Sequence, residues 1–162
     1  MPFIINLRSI FFPSPNVGFI VGDTGATHKS SDGGNSWINI GFHHGTLVSI
    51  YFLNDTIGYV GGDTLFRTLN GGTTWNRIGA GEITQTRSIF FINYFTGWNA
   101  GNYVNTLNDV VAKTTNGGGS WDRQTVVVGA ARDFRTIFFI DSLNGWLGSP
   151  NFNLFNSIYK TT

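Results

Sequence analysis

Arg67-Thr68-Leu69-Asn70-Gly71-Gly72-Thr73-Thr74-Trp75 decides the fold, because it reads as a tight turn between two short strands and it recurs. Asn followed by two Gly is a hairpin signal: these residues occupy left-handed backbone wells, and the Asx side chain accepts backbone N–H bonds. The same pattern stands at Lys29-Ser30-Ser31-Asp32-Gly33-Gly34-Asn35-Ser36-Trp37 and at Lys113-Thr114-Thr115-Asn116-Gly117-Gly118-Gly119-Ser120-Trp121. Lys160-Thr161 repeats the opening dyad a fourth time.

Working outward, each copy is preceded by a Gly-aromatic pair: Gly18-Phe19, Gly58-Tyr59, Gly97-Trp98 and Gly145-Trp146. Further upstream stand Arg8-Ser9-Ile10-Phe11-Phe12, Val48-Ser49-Ile50-Tyr51-Phe52, Arg87-Ser88-Ile89-Phe90-Phe91 and Arg135-Thr136-Ile137-Phe138-Phe139. Their hydroxyl residues, at 9, 49, 88 and 136, are 40, 39 and 48 residues apart, the period of a four-stranded propeller blade. The reading is an all-β propeller of four-stranded antiparallel blades. Strand A carries the Ile-aromatic-Phe core, strand B opens at the Gly-aromatic pair, strand C ends before the turn and strand D begins at the Trp. The blades are expected over 7–40, 47–78, 86–124 and 134–162. The fourth lacks its own strand D. Phe3-Ile4-Ile5-Asn6 has the character of one and is expected to supply a closing strand. It would do so in the same chain, across chains in a homo-oligomer that completes the ring, or as the end of a blade in a longer parent; closure matters because an open sheet edge invites aggregation.

The pattern [Ser/Thr]-x-[Asp/Asn]-Gly-Gly-x-[Ser/Thr]-Trp resembles the Asp-box, or BNR, repeat, and with the strand A and B motifs the chain is most similar to the photosystem II assembly-factor type of propeller. The resemblance covers nearly the whole chain. Asp32 keeps the box Asp, while Asn70 and Asn116 replace it. It implies structural roles for Asp32, Gly34 and Trp37, for Asn70, Gly72 and Trp75, and for Asn116, Gly118 and Trp121, with each Trp packed between neighbouring blades. It also implies docking of a partner through an arginine patch and an extracytoplasmic setting.

Composition narrows the function. Of 162 residues, 41% are hydrophobic and 12% charged, with a net charge of +1, so there is no basic stripe to hold a nucleic-acid backbone. The absence of cysteine removes disulfides and thiolate metal sites. Apolar runs such as Ile137-Phe138-Phe139-Ile140 are too short to span a bilayer, which takes about 20 residues. Met1 to Phe12 shows no signal-peptide pattern.

In a blade the D-to-A and B-to-C connections share one face, and the Gly-Gly turns lie on the other. Arg8, Arg87 and Arg135 recur at one strand A position on the first face, where guanidinium groups would pair with carboxylate or phosphate; the structural alternative is that each fastens its blade by pairing with a nearby Asp, such as Asp133, or with a loop carbonyl. The third and fourth B-to-C connections, 102–109 and 150–156, are long and hold Tyr103, Asn105, Asp109, Phe152, Asn153 and Phe155. Aromatics beside amides suit a peptide or a sugar. No cofactor or metal is expected: His43 and His44 are adjacent in a loop with no third ligand, and His28 reads as a half-buried packing residue. A binding scaffold for a protein or anionic ligand is therefore expected. The rival is a glycan-binding or glycoside-hydrolase-like protein, which as an enzyme would need two carboxylates across a cleft. Glu82 is the one glutamate. Asp23 and Asp63 hold matching turn positions but read as turn residues.

Overall fold

The computed structural model describes residues 5–41, 45–79, 83–103, 109–124, 134–150 and 158–161. Alternation of apolar and polar residues, interrupted by Gly- and Asn-rich turns, produces four antiparallel meanders in chain order. The first comprises β1 (Leu7–Phe11), β2 (Gly18–Gly22), β3 (Thr27–Ser30) and β4 (Ile38–Asn39); the second comprises β5 (Leu47–Phe52), β6 (Gly58–Gly62), β7 (Phe66–Thr68) and β8 (Asn76–Arg77). The third contains β9 (Ile83–Phe91), β10 (Gly97–Tyr103), β11 (Asp109–Thr114) and β12 (Asp122–Gln124), and the fourth contains β13 (Thr136–Phe139), β14 (Gly145–Gly148) and β15 (Ile158–Lys160). β9 begins at Ile83, ahead of the expected start at 86. These are the blades of an all-β propeller.

The chain divides into two units, Met1–Arg77 with the first two blades and Ile78–Thr162 with the last two. In the first unit Phe19 and Val21 of β2 pack with Ile50, Phe52, Val60 and Phe66 of the second blade. In the second, Trp98, Ala100 and Val111 meet Phe134, Ile137, Phe139 and Leu147. Side-chain alternation along a strand explains both cores: every second residue of strands A and B faces the neighbouring blade.

The Gly-Gly turns are held by a repeated polar net. Gly34, Gly72 and Gly118 donate their N–H groups to Ser30 Oγ (2.8 Å), Thr68 Oγ1 (2.9 Å) and Thr114 Oγ1 (2.9 Å). Each of these glycines has a positive φ. A Cβ at Gly72 would stand 3.1 Å from Phe19 and 3.2 Å from Ile40 of the preceding blade, a tight fit that adds to the strain a larger residue would meet at this positive φ. Asp32 Oδ1, Asn70 Oδ1 and Asn116 Oδ1 accept the N–H groups of Ser36 (2.9 Å), Thr74 (2.9 Å) and Ser120 (2.8 Å). The Asp-to-Asn exchange reverses only one bond. Ser36 Oγ donates to Asp32 Oδ2, whereas Asn70 Nδ2 donates to Thr74 Oγ1 at 2.8 Å and Asn116 Nδ2 to Ser120 Oγ at 2.9 Å.

Trp75 and Trp121 pack at the edges of the hydrophobic clusters. Trp37, Trp75 and Trp121 are half-buried and stand edge-on to the last Phe of strand A in their own blades, with centroids 5.8 Å from Phe12, 6.1 Å from Phe52 and 6.0 Å from Phe91. Each follows its Gly-Gly turn, and Phe52 and Phe91 are the more deeply buried members of their pairs. The expected closing strand 3–6 lies partly outside the described residues. Ile5 and Asn6 are not in a strand, and Asn6 bonds to Asp23. Among the described residues the fourth blade therefore has three strands.

Candidate ligand-binding face

Arg8 and Arg87 share a feature that the repeat alone does not reveal: both are extra residues of β-bulges. Leu7 pairs with Gly22 and Ser9 with Val21, leaving Arg8 over, while Thr86 pairs with Gly101 and Ser88 with Ala100, leaving Arg87 over. Val48 is the bulged residue of the second blade, between Leu47↔Gly62 and Ser49↔Gly61. A bulge re-aims its side chain out of the regular alternation; at the recurring position Arg8 is exposed, while Val48 and Arg87 are half-buried. The bulge also brings the backbones together: a Cβ at Gly62 would lie 1.9 Å from the Thr46 carbonyl oxygen, and one at Gly101 1.9 Å from that of Gln85. The recurrence of Gly22, Gly62 and Gly101 at the end of strand B was the sequence signal for these bulges.

Arg8 is engaged. Its Nε and Nη2 form a fork on the Asp23 carboxylate, with Nη2 3.2 Å from Oδ2, and Asn6 Nδ2 donates to the same oxygen at 2.9 Å. Asp23 N–H returns a bond to the Asn6 carbonyl at 2.9 Å. The bonds from Arg8 and Asn6 hold the Asp23 carboxyl below its ordinary pKa, and the carboxylate raises that of Arg8. This is the fastening role that sequence left as the alternative, made with Asp23 instead of Asp133, which lies outside the described residues. In the second blade Val48 offers no cation, and Asp63 Oδ2 accepts the Thr46 N–H at 2.9 Å. Asn102 takes the corresponding place in the third blade, its Nδ2 3.4 Å from Gln85 Oε1.

Arg87 and Arg135 belong to the second unit. Arg87 is half-buried and Arg135 exposed. Ile137 N–H donates to Ser88 Oγ at 3.1 Å, which sets β9 and β13 side by side and places the two arginines at the same end of adjacent inner strands. Arg135 N–H donates to the Gly148 carbonyl at 2.9 Å. Tyr103 and Asp109 close the ladder between β10 and β11, where Asn102 pairs with Asp109. Asn105, Phe152, Asn153, Phe155, His43, His44 and Glu82 lie outside the described residues. His28 is half-buried on β3, and among the described residues no group of three His, Cys, Asp or Glu is placed to hold a metal. No helix among the described residues is long and apolar enough to cross a membrane.

No protein-family model matches the chain, and no curated protein does. Solved structures do. YCF48 bound to D1 peptide is 19% identical with a TM-score of 0.70, over 92% of this chain and 48% of that one. The GH74 enzyme of Niastella koreensis is 14% identical with a TM-score of 0.75, over 96% and 28%. The GH74 xyloglucanase of Xanthomonas campestris is 12% identical with a TM-score of 0.69, over 95% and 30%. The chain thus spans half or less of the length of these proteins and shares their fold.

Proposed function

We propose that this chain is an Asp-box-type propeller that docks an acidic protein segment or another anionic ligand on the face formed by its D-to-A and B-to-C connections, without catalysing a reaction. The observation that carries this reading is the placement of Arg87 and Arg135 on adjacent inner strands at the end bearing the long connections. Arg87 is turned out of its ladder by the bulge, and guanidinium groups at such a margin favour carboxylates. The fold of YCF48, solved with a D1 peptide bound, supports a peptide as ligand. Arg8 serves a different purpose in this reading, locking the first blade through Asp23.

The glycoside-hydrolase alternative has the GH74 likeness in its favour. The candidate carboxylates argue against it. Asp23 is held ionised by Arg8 and Asn6, the opposite of what a general acid needs, and Asp63 is tied to a backbone N–H.

Fluorescence anisotropy with a labelled Asp/Glu-rich peptide tests the proposal. Binding that weakens as salt rises and is lost in Arg87→Gln/Arg135→Gln, with the thermal midpoint unchanged, is the expected result. Salt-independent binding, or an unaffected double variant, overturns it. Release of reducing ends from xyloglucan favours the enzyme.

A further inference from the structure

The first and third blades build the same corner with different chemistry. In the first, Arg8 is the bulged residue between Leu7↔Gly22 and Ser9↔Val21, and Asp23 follows Gly22. In the third, Arg87 is the bulged residue between Thr86↔Gly101 and Ser88↔Ala100, and Asn102 follows Gly101. The residue opposite matches too. Asn6 faces Asp23, its carbonyl accepting the Asp23 N–H at 2.9 Å, and Gln85 pairs with Asn102. A Cβ at Gly22 would lie 2.2 Å from the Asn6 carbonyl oxygen, as one at Gly101 would lie 1.9 Å from that of Gln85. Arg8, Asp23 and Asn6 therefore correspond, position by position, to Arg87, Asn102 and Gln85.

What differs is charge. At the first corner Arg8 takes the Asp23 carboxylate side-on through Nε and Nη2, and Asn6 Nδ2 steadies the same carboxylate at 2.9 Å. At the third, Asn102 Nδ2 lies 3.4 Å from Gln85 Oε1. An amide can make hydrogen bonds but brings no charge to set against a guanidinium. The remaining blades divide the same way. The second has Asp63 at this place with Val48 at the bulge; in the fourth, counted from Thr136↔Gly148, Pro150 stands there and Arg135 is kept. Both blades of the first unit thus carry an acid at this place, and neither blade of the second does.

We propose that Asn102 sets the specificity of the docking face: with an amide at this place, the corner beside Arg87 receives a carboxylate from the ligand, held as Arg8 holds Asp23. This rests on the docking role proposed above and narrows its ligand to carboxylates. The first blade is the self-occupied form of the same site. A side-on guanidinium fork takes both oxygens of one carboxylate, and the Gln85 amide, like that of Asn6, has an N–H to add. Arg87, Asn102 and Gln85 are all half-buried, where a charge-assisted bond is screened less than at the open surface.

Asn102→Asp builds the first blade's carboxylate into the third and tests this in two ways. Without ligand, a double-mutant cycle on urea midpoints at pH 7 should show the new Asp coupled to Arg87: the shift caused by Asn102→Asp is more favourable with Arg87 present than in Arg87→Gln. Asp109, across the ladder from Asn102 on β11, is present in every variant, so the cycle isolates the arginine. With the labelled Asp/Glu-rich peptide, anisotropy should show binding weakened about tenfold or more by Asn102→Asp, the worth of one charge-assisted contact. Thr84→Asp puts the same charge on an exposed residue of the same strand and should weaken binding less, which separates filling of the corner from general repulsion. Peptide binding that survives Asn102→Asp, equal weakening by Thr84→Asp, or a cycle with no coupling to Arg87 overturns the inference and leaves the docking role standing. A wild-type chain that does not bind the peptide overturns the docking role and the inference with it.

Discussion

The indole of Trp98 lies parallel to the ring of Phe139, 3.7 Å between centroids and 7° between planes. This pair is the centre of the core joining the last two blades. The two rings are stacked face to face at close range, and both are buried. Phe139→Ala should cost about 3–5 kcal/mol. Trp121→Ala, at a half-buried turn position, should cost clearly less, since part of its ring already meets water. Urea unfolding of the two variants gives the order, and a larger loss at Trp121 would contradict the assignment of the core to the phenylalanines.

The bulge opposite Gly62 makes a second prediction. Gly62→Ala forces a methyl group to within 1.9 Å of a backbone oxygen, which only a backbone shift relieves, at a cost of about 2–3 kcal/mol. Gly79→Ala is the control, because the nearest atom to its Cβ would be 3.7 Å away; its urea midpoint should stay near that of the wild type.

Asp32 predicts a pH dependence. Its folded pKa is lowered to about 2, below the unfolded value of about 3.9. Its contribution to stability is therefore fully present above the unfolded value and is lost as pH falls through the folded one. The wild-type urea midpoint should drop between roughly pH 4 and pH 2, with part of that drop missing in Asp32→Asn. Asn is accommodated because Asn70 and Asn116 already make the same turn with one hydrogen bond reversed. An unaltered pH profile in Asp32→Asn would show that this carboxylate does not stabilise the turn.

Asn99 is fully buried on β10, and neither its Oδ1 nor its Nδ2 has a hydrogen-bond partner among the described residues. Ile20, Val60 and Leu147 stand at the matching place in the other blades. Leaving a buried amide unsatisfied costs about 1–3 kcal/mol, so Asn99→Val should raise stability by up to about that amount. A lower melting temperature in Asn99→Val would mean that the amide has a role the packing does not disclose.

The sequence by itself determined the blade period, the antiparallel strand order and the chemistry of the Gly-Gly turns. These follow from local rules: alternation within a strand, glycine at positive φ, and an Asx side chain bonding to N–H groups a few residues away, as Asn70 does with Thr74. Tertiary structure decided what depends on residues far apart in the chain. Phe52 is buried among residues of both blades of the first unit, and the half-buried Trp75 packs against the same cluster. Arg8 meets Asp23 because the bulge at position 8 takes its side chain out of the alternation and the turn after β2 returns a carboxylate to it. A one-residue bulge changes which face a side chain joins while leaving the repeat intact, and so its consequence for the arginines appears only when the strands are paired.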